Sequence, residues 1–126
     1  MARSSYLSGR LHSFVYAIRG LATLVASQHN ARIHALATIL VIAAGLLFRL
    51  TSAEWGLIVL AITCVWVAEA LNTAIEFLVD LVSPDTRPLA AKAKDVAAGA
   101  VLVAATGAVI IGVLVFGPKI WNLLHG

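Results

Sequence analysis

Charged residues are scarce in this chain, and their scarcity excludes most classes of soluble protein. They make up 12% of the 126 residues, whereas hydrophobic residues make up 61%. An ordinary soluble domain has about a quarter charged residues. The apolar surface exceeds what one internal core buries, so we predict a membrane protein that forms a single domain over residues 1–126.

Paired cysteines are also missing, and no cleavable leader is expected. Cys64 is the one cysteine, so no disulfide framework forms within the chain. Near the N-terminus, Arg3, Arg10 and Arg19 interrupt any apolar stretch long enough for a signal peptide. We therefore expect the first membrane span to be retained.

Three apolar segments predict transmembrane helices over residues 30–50, 55–82 and 90–116, because roughly 20 apolar residues cross a bilayer. The segments "RLTSAEW" and "SPDTRP" separate them, and Thr51 or Ser52 is expected to be the N-cap of the middle helix. The chain lacks the alternating ten-residue strands of a membrane barrel, so an all-α membrane fold is predicted.

The segment before these spans, residues 1–29, predicts an amphipathic surface helix. Apolar side chains recur at steps of three or four residues, at Leu7, Leu11, Phe14, Ile18, Leu21 and Val25. Arginines occupy other faces, which is typical of a helix in the headgroup layer. The alternative, a helix packed on a soluble core, lacks any soluble core to pack on.

Lysine and arginine are distributed unevenly around the predicted spans. Two, Arg49 and Lys119, flank one membrane face. Seven flank the other, namely Arg3, Arg10, Arg19, Arg32, Arg87, Lys92 and Lys94. The positive-inside rule then places the N-terminus and the second loop in the cytoplasm, where a site built from both would meet cytosolic nucleotides.

A stripe of polar residues follows one face of the middle span. Glu69, Asn72, Glu76 and Asp80 are spaced by three, four and four residues, so a helix places them on one side. We call these four residues the acidic stripe. Carboxylates at membrane depth cost several kcal/mol each unless paired, which favours a functional role. For Asn72 alone, an interhelical polar clamp is an equal alternative.

The acidic stripe requires cations. Nearby basic residues can supply part of the charge, namely Arg32, Arg87, Lys92 and Lys94. A divalent cation is the natural further partner, because Mg²⁺ prefers oxygen ligands and substrate phosphates. With Lys94 next to Asp95 at the start of the third span, the set is typical of phosphoryl transfer. No Walker A or kinase glycine loop is present, and we interpret Gly99, Gly107 and Gly112 as sites of close helix packing.

Two motifs make the sequence recognisable. "EALNTAIEFLVDL", followed by "PLAAKAKDVAAGAVLV", strongly resembles the small bacterial membrane kinases of the diacylglycerol kinase and undecaprenol kinase family. The resemblance extends over nearly the whole chain, through "SFVYAIRGL", "NARIH", "AEW" and "VFGPKIW". Details of "SFVYAIRGL", "KDVAAGAVLV" and the terminal "GPK" are more similar to the undecaprenol kinase branch.

The resemblance implies roles for individual residues. Glu69 would be the catalytic base that accepts the proton of a lipid hydroxyl. ATP and Mg²⁺ would be held by Asn72 and Glu76, and Lys94 would neutralise phosphate charge. Asp80 and Asp95 would orient the nucleotide or basic partners. On the surface helix, three residues would help to cover the nucleotide, namely Arg10, Tyr16 and Gly20.

One position departs from the family pattern. The family usually has an acid where this chain has Gln28, in "SQHNARIH". The resemblance would make Gln28 the second metal ligand beside Glu76, but an amide contributes no charge. His29 and His34 are not assigned as ligands, because imidazole is a poor ligand for Mg²⁺.

The resemblance also implies partners and a location. The expected enzyme is a homotrimer in the bacterial inner membrane, with cytoplasmic sites shared between subunits, a membrane lipid alcohol as substrate and no nucleic acid partner. Undecaprenol is favoured as the acceptor, and diacylglycerol is the alternative. A small ion channel or transporter lined by the acidic stripe is the non-enzyme alternative.

Overall fold

The computed structural model describes the backbone of residues 2–85 and 87–126 and the side chains of residues 12–85 and 87–126. These residues form four α-helices and no strand: α1 (Ala2–Ser27), α2 (His29–Leu47), α3 (Ser52–Val82) and α4 (Pro88–His125). By length and composition, α2, α3 and α4 are able to cross a membrane. The predicted all-α class with three long apolar helices is confirmed.

Local sequence signals fix where α3 begins. Of the two candidate caps, Thr51 is the N-cap, and its hydroxyl accepts a hydrogen bond from the Glu54 backbone N–H at 3.3 Å. The Glu54 carboxylate accepts in return from the Thr51 backbone N–H at 2.7 Å. This capping box satisfies two backbone donors that the first helical turn would otherwise leave without partners.

Helix α4 contains a proline in its first turn and another near its C-terminal end. Pro88 occupies its first turn after the N-cap Arg87, where a missing N–H costs nothing. At the other end the helix passes through Pro118 to His125, beyond residue 116, where the apolar run ends. The added turns place Lys119 within 3.0 Å of Glu54, so an ion pair joins the end of α4 to the start of α3.

A small apolar core lies at this end of the bundle, away from the acidic stripe. Leu50, Ile58 and Val115 are buried there. Phe48 and Phe116 pack edge to face beside them, with ring centroids 6.0 Å apart. The helix pair α3 and α4 forms the most extensive contact between elements. Burial at this end holds the helices together while the other end carries polar groups.

Close helix packing falls on a different glycine from those predicted. A Cβ at Gly45 would lie 2.6 Å from the Trp55 ring. A Cβ at Gly99, Gly107 or Gly112 would meet no atom within 4 Å. The prediction of close packing at these three glycines is therefore wrong for contacts within the chain.

Helix α1 contacts both α2 and α3, and three of the seam side chains that the structure describes are exposed. Leu24 is buried, whereas Phe14, Ile18 and Leu21 are exposed. Leu7 and Leu11 lie outside the residues whose side chains are described. An apolar seam open on the outside of the bundle is what a headgroup-layer helix requires.

The contact between Gly45 and Trp55 predicts a position-specific loss of stability. Gly45→Ala should lower the free energy of unfolding by about 1–3 kcal/mol, because the added methyl overpacks the Trp55 ring. Gly56→Ala is the matched control, since a Cβ at Gly56 meets nothing within 4 Å and alanine favours the helix. Thermal unfolding in detergent micelles measures both. Equal melting temperatures for the two variants would contradict the packing assignment.

Candidate functional site

The acidic stripe runs from the interior of the bundle to its surface. Glu69 is 1% exposed and Asn72 is 6% exposed. One turn further on, Glu76 is half-buried, and the side chain of Asp80 is 64% exposed. Solvent exposure therefore increases along the stripe, from the buried Glu69 to the exposed Asp80.

Glu69 is a buried carboxylate with an unsatisfied oxygen. Its Oε2 atom has no hydrogen-bond partner among the described residues. The nearest basic group is His34 Nε2 on α2, at 4.0 Å, which is too far for a hydrogen bond. Burying a carboxylate without full pairing is costly. A buried carboxylate with an unsatisfied oxygen is suited to accept a proton from a group that enters the site.

Asn72 bonds within its own helix and leaves one atom unsatisfied. Its Nδ2 donates to Glu76 Oε1 at 3.0 Å, and its Oδ1 is buried without a partner in the described part of the chain. The interhelical clamp considered for Asn72 is therefore wrong within this chain. Asn72 instead lines a groove of about 510 Å³ whose other wall includes Ala93 and Ala97 of α4.

Lys94 joins the exposed end of the acidic stripe. Its Nζ donates to Asp80 Oδ1 at 2.5 Å, across from α4 to α3. The pair is partly exposed, so its contribution to stability is small, about 0–1 kcal/mol. The ion pair instead fixes the position of the Lys94 ammonium group, about one helical turn from Glu76.

Arg32 has a different role from the one expected. It donates to the backbone carbonyl of Val25 at 3.0 Å and to that of Ala26 at 2.5 Å. Both carbonyls belong to the last turn of α1, where no following turn supplies an N–H donor. The expectation that Arg32 supplies charge to the acidic stripe is wrong, since it caps α1 instead.

The remaining predicted site residues are not joined to the acidic stripe by any hydrogen bond or ion pair within residues 12–85 and 87–126. Tyr16 is exposed and stacks on His12, and Asp95 is exposed. Gly20 lines a groove of about 390 Å³ between α1 and α3. Gln28 is the half-buried N-cap of α2, and its side chain does not cap the helix. Arg10 lies outside the described side chains.

The donor set limits what kind of cation the site could hold. No cluster of three or more histidine, cysteine, aspartate or glutamate side chains occurs among the residues described. An all-protein metal cage is therefore not present in that part of one chain. The Glu76 carboxylate and the unpartnered Asn72 Oδ1 are hard oxygen donors, which fit Mg²⁺ bound chiefly through substrate phosphates.

Two residues of the site were not singled out from the sequence. Thr73 is 4% exposed with an unpartnered hydroxyl, and its spacing of four residues from Glu69 could have identified it. His34 was not assigned a role, and its approach to Glu69 depends on how α2 packs against α3. No spacing along one helix reveals such a contact.

Comparisons with known proteins agree with the motifs. The model of the prokaryotic diacylglycerol kinase family matches residues 15–116. The chain is 45% identical over 108 residues to the undecaprenol kinase of Bacillus subtilis, covering 86% of this chain and 88% of that protein. It is 42% identical over 115 residues to a diacylglycerol kinase of Synechocystis, covering 90% of this chain and 66% of that protein. A diacylglycerol kinase of Helicobacter pylori is 38% identical over 69 residues, which cover 55% of this chain and 47% of that protein.

The unpartnered Glu69 carboxylate predicts a stabilising substitution. Glu69→Gln keeps the shape and removes the buried charge, so the free energy of unfolding should rise by about 1–3 kcal/mol. Glu76→Gln is the control, because Glu76 is half-buried and already hydrogen-bonded. Thermal unfolding in micelles compares them. A lower melting temperature for Glu69→Gln would mean that the carboxylate stabilises the fold.

Proposed function

Since the chain belongs to the prokaryotic diacylglycerol kinase family, it is a lipid kinase that uses ATP, and we propose that it phosphorylates the hydroxyl of undecaprenol. The extensive identity with an undecaprenol kinase supports this acceptor. Diacylglycerol is the second candidate, supported by the names of the other relatives. The lipid substrate reaches the enzyme within the membrane that α2, α3 and α4 cross.

The buried carboxylate of Glu69 carries the proposed mechanism. Glu69 accepts the hydroxyl proton as the O–H bond breaks, and the freed oxygen forms a bond to the γ-phosphorus of ATP. The bond between that phosphorus and the oxygen bridging to the β-phosphate breaks, and ADP leaves with the electron pair. An unpartnered oxygen in a dry setting is suited to take this proton.

Side chains further along the acidic stripe bind the nucleotide. Lys94, held by Asp80, neutralises phosphate charge. Asn72 lies beside Glu76, and its unpartnered Oδ1 would contact the ion that the phosphates carry. Glu76 and Gln28 would hold Mg²⁺. When bound, this ion neutralises the charge that develops on the transferred phosphoryl group. The proposed base Glu69 is buried, whereas the residues that bind the phosphates are more exposed to solvent. This separation keeps competing water away from the base.

Other residues would complete the site across a homotrimer. Arg10, Tyr16 and Gly20 of α1 would cover the nucleotide, and Asp95 would orient it. The exposure of Tyr16 and Asp95 in a single chain supports a role at a boundary with a neighbouring subunit. Sites shared between subunits would bring these residues to the acidic stripe.

The proposed location is the bacterial inner membrane with the site on its cytoplasmic side. The excess of lysine and arginine around α1 and the α3–α4 loop supports this orientation. The wet end of the acidic stripe leads to the same loop, where cytosolic ATP enters. A channel explains less, since an ion pair between Asp80 and Lys94 spans the end of the supposed path.

The activity is tested with purified protein in lipid vesicles that contain either undecaprenol or diacylglycerol. ATP should be consumed with undecaprenol, and kcat/KM should be higher than with diacylglycerol. Glu69→Gln should lower kcat by about 10²- to 10⁴-fold, the usual contribution of a general base, while ATP still binds. Near-normal turnover by this variant would remove Glu69 from the mechanism. A preference for diacylglycerol would overturn the acceptor.

The amide at position 28 predicts an altered metal requirement. Gln28→Glu restores a negative charge. Because hard cations bind more tightly to negatively charged oxygen ligands, less Mg²⁺ should be needed for half-maximal activity. Glu76→Gln should need far more Mg²⁺ or be inactive. His29→Glu, a charge change at the exposed neighbour, is the control and should have little effect. If Gln28→Glu leaves the Mg²⁺ requirement unchanged with ATP binding intact, position 28 does not bind the ion.

A further inference from the structure

Phosphoryl transfer to an alcohol releases a proton, which has to leave the buried end of the proposed site. The reaction breaks one O–H bond and places the proton on Glu69, which is 1% exposed. Glu69 cannot act as a base again until it has lost this proton. Because water has little access to a buried carboxyl group, a neighbouring base that is itself open to solvent would speed this step.

His34 is the basic side chain nearest to Glu69 among the described residues. Its Nε2 atom lies 4.0 Å from Glu69 Oε2, and that oxygen has no hydrogen-bond partner in the described part of the chain. A shift of the ring by about 1 Å brings the two atoms within hydrogen-bond distance. Contacts used for proton transfer are often long before substrate binds and shorten in the complex.

Two hydrogen bonds fix the backbone that carries His34. The Thr38 hydroxyl donates to the His34 carbonyl at 2.7 Å and accepts from Trp66 Nε1 at 3.1 Å. They join the turn of α2 that begins at His34 to the turn of α3 that precedes Glu69. The His34 ring itself makes no hydrogen bond with a described residue, so its nitrogens are available for a proton.

His34 has the access to solvent that Glu69 lacks. Its side chain is 19% exposed, whereas that of Glu69 is 1% exposed. His34 is the sixth residue of α2 (His29–Leu47), so it lies about 7.5 Å along the helix from His29. His29 is exposed, and the proposed orientation places it at the cytoplasmic surface. The ring therefore lies between the buried acid and water.

No second base competes with His34 for this proton among the described residues. On α3 the next acid, Glu76, is hydrogen-bonded to Asn72. On α2 the Arg32 guanidinium donates to carbonyls of α1. The cavity beside His34 is lined on α4 by apolar residues, and no described residue of α1 borders it. The ring therefore faces one acid, Glu69, and no other described charge.

We infer that His34 is a proton-relay residue, which carries the proton of Glu69 to the solvent after each phosphoryl transfer. This inference rests on the proposed function and adds the step that resets the base. The neutral ring accepts the proton of the Glu69 carboxyl group at Nε2 and becomes an imidazolium ion. The imidazolium ion then gives a proton to water. One proton leaves for each lipid phosphorylated, and an imidazole is suited to this exchange because it gains and loses a proton near neutral pH.

The first turnover, compared with later ones, tests the relay. His34→Gln keeps a polar side chain that cannot take up the proton. Glu69 starts ionised, so the first transfer should have the wild-type rate, whereas later transfers should be at least about tenfold slower. Rapid mixing of the variant with ATP in vesicles that contain undecaprenol should therefore show a burst of about one phosphorylated lipid per site. The Kd for ATP should not change.

Added imidazole tests whether the missing group is a base. His34→Ala leaves space beside Glu69, and free imidazole in the buffer should recover most of the lost steady-state rate. The recovery should increase from about pH 6 to about pH 8, because the neutral form of imidazole accepts the proton. Glu69→Gln should not recover. His29→Ala is the matched control, since it removes an exposed histidine from the same helix, and it should keep the wild-type rate.

The outcomes separate the inference from the proposed function. If the wild-type protein transfers no phosphate from ATP to any lipid alcohol, the proposed function fails. If the wild type is active and His34→Gln has the same steady-state rate, the proton leaves Glu69 by another route and the inference is overturned. Equal slowing of the first and later turnovers also overturns it, since His34 would then act before the transfer. If His34→Ala does not fold, the burst in His34→Gln decides.

Discussion

The buried carboxylate of Glu69 is the constraint on which the rest of the structure depends. An acid that is 1% exposed, with an oxygen that has no partner among the described residues, opposes folding. Stabilising contacts must therefore come from elsewhere, and they lie at the other end of the bundle. There the core around Ile58, the capping box at Thr51 and the pair of Glu54 with Lys119 fix α3 and α4. The helices are joined firmly at one end, so the opposite end tolerates costly groups.

Helix α3 is proposed to bring together a substrate from the membrane, the lipid alcohol, and a substrate from water, ATP. In the proposed reaction the lipid alcohol comes from the membrane, and ATP comes from water. Along α3 the polar residues change from the buried Glu69 to the exposed Asp80. At a rise of 1.5 Å per residue the two lie about 16 Å apart along the helix, which is far enough for their environments to differ. The proposed base lies on the lipid side and the proposed phosphate ligands on the water side. In this proposal, phosphoryl transfer takes place on α3 between the buried Glu69 and the exposed Asp80.

Sequence patterns predicted most features that depend on one helix at a time, although Thr73 and the extension of α4 to His125 were missed. Hydropathy located the long helices, helical spacing placed the acidic stripe on one face, and cap chemistry narrowed the start of α3 to two residues. Among contacts between helices, the pairing of Lys94 with the acidic stripe was expected and is present, but three others were missed. Arg32 caps α1 seven residues earlier in the chain, across the α1–α2 junction. Gly45 is the close-packed glycine because the Trp55 ring lies against it, and His34 meets Glu69 through tertiary packing alone.

Charge balance explains why one chain does not complete the proposed site. Lys94 is paired with Asp80, which leaves the carboxylates of Glu69 and Glu76 without a paired cation among the described residues. The phosphates of ATP add further negative charge beside them, and like charges repel strongly where water is excluded. The proposed site would therefore need added positive charge to bind its nucleotide, from a divalent ion or, in the proposed homotrimer, from basic groups of α1 on a neighbouring subunit. If Gln28 holds the ion as proposed, its amide in place of an acid would lessen that repulsion. It would also weaken the attraction for the ion, so the phosphates would become the main ligands.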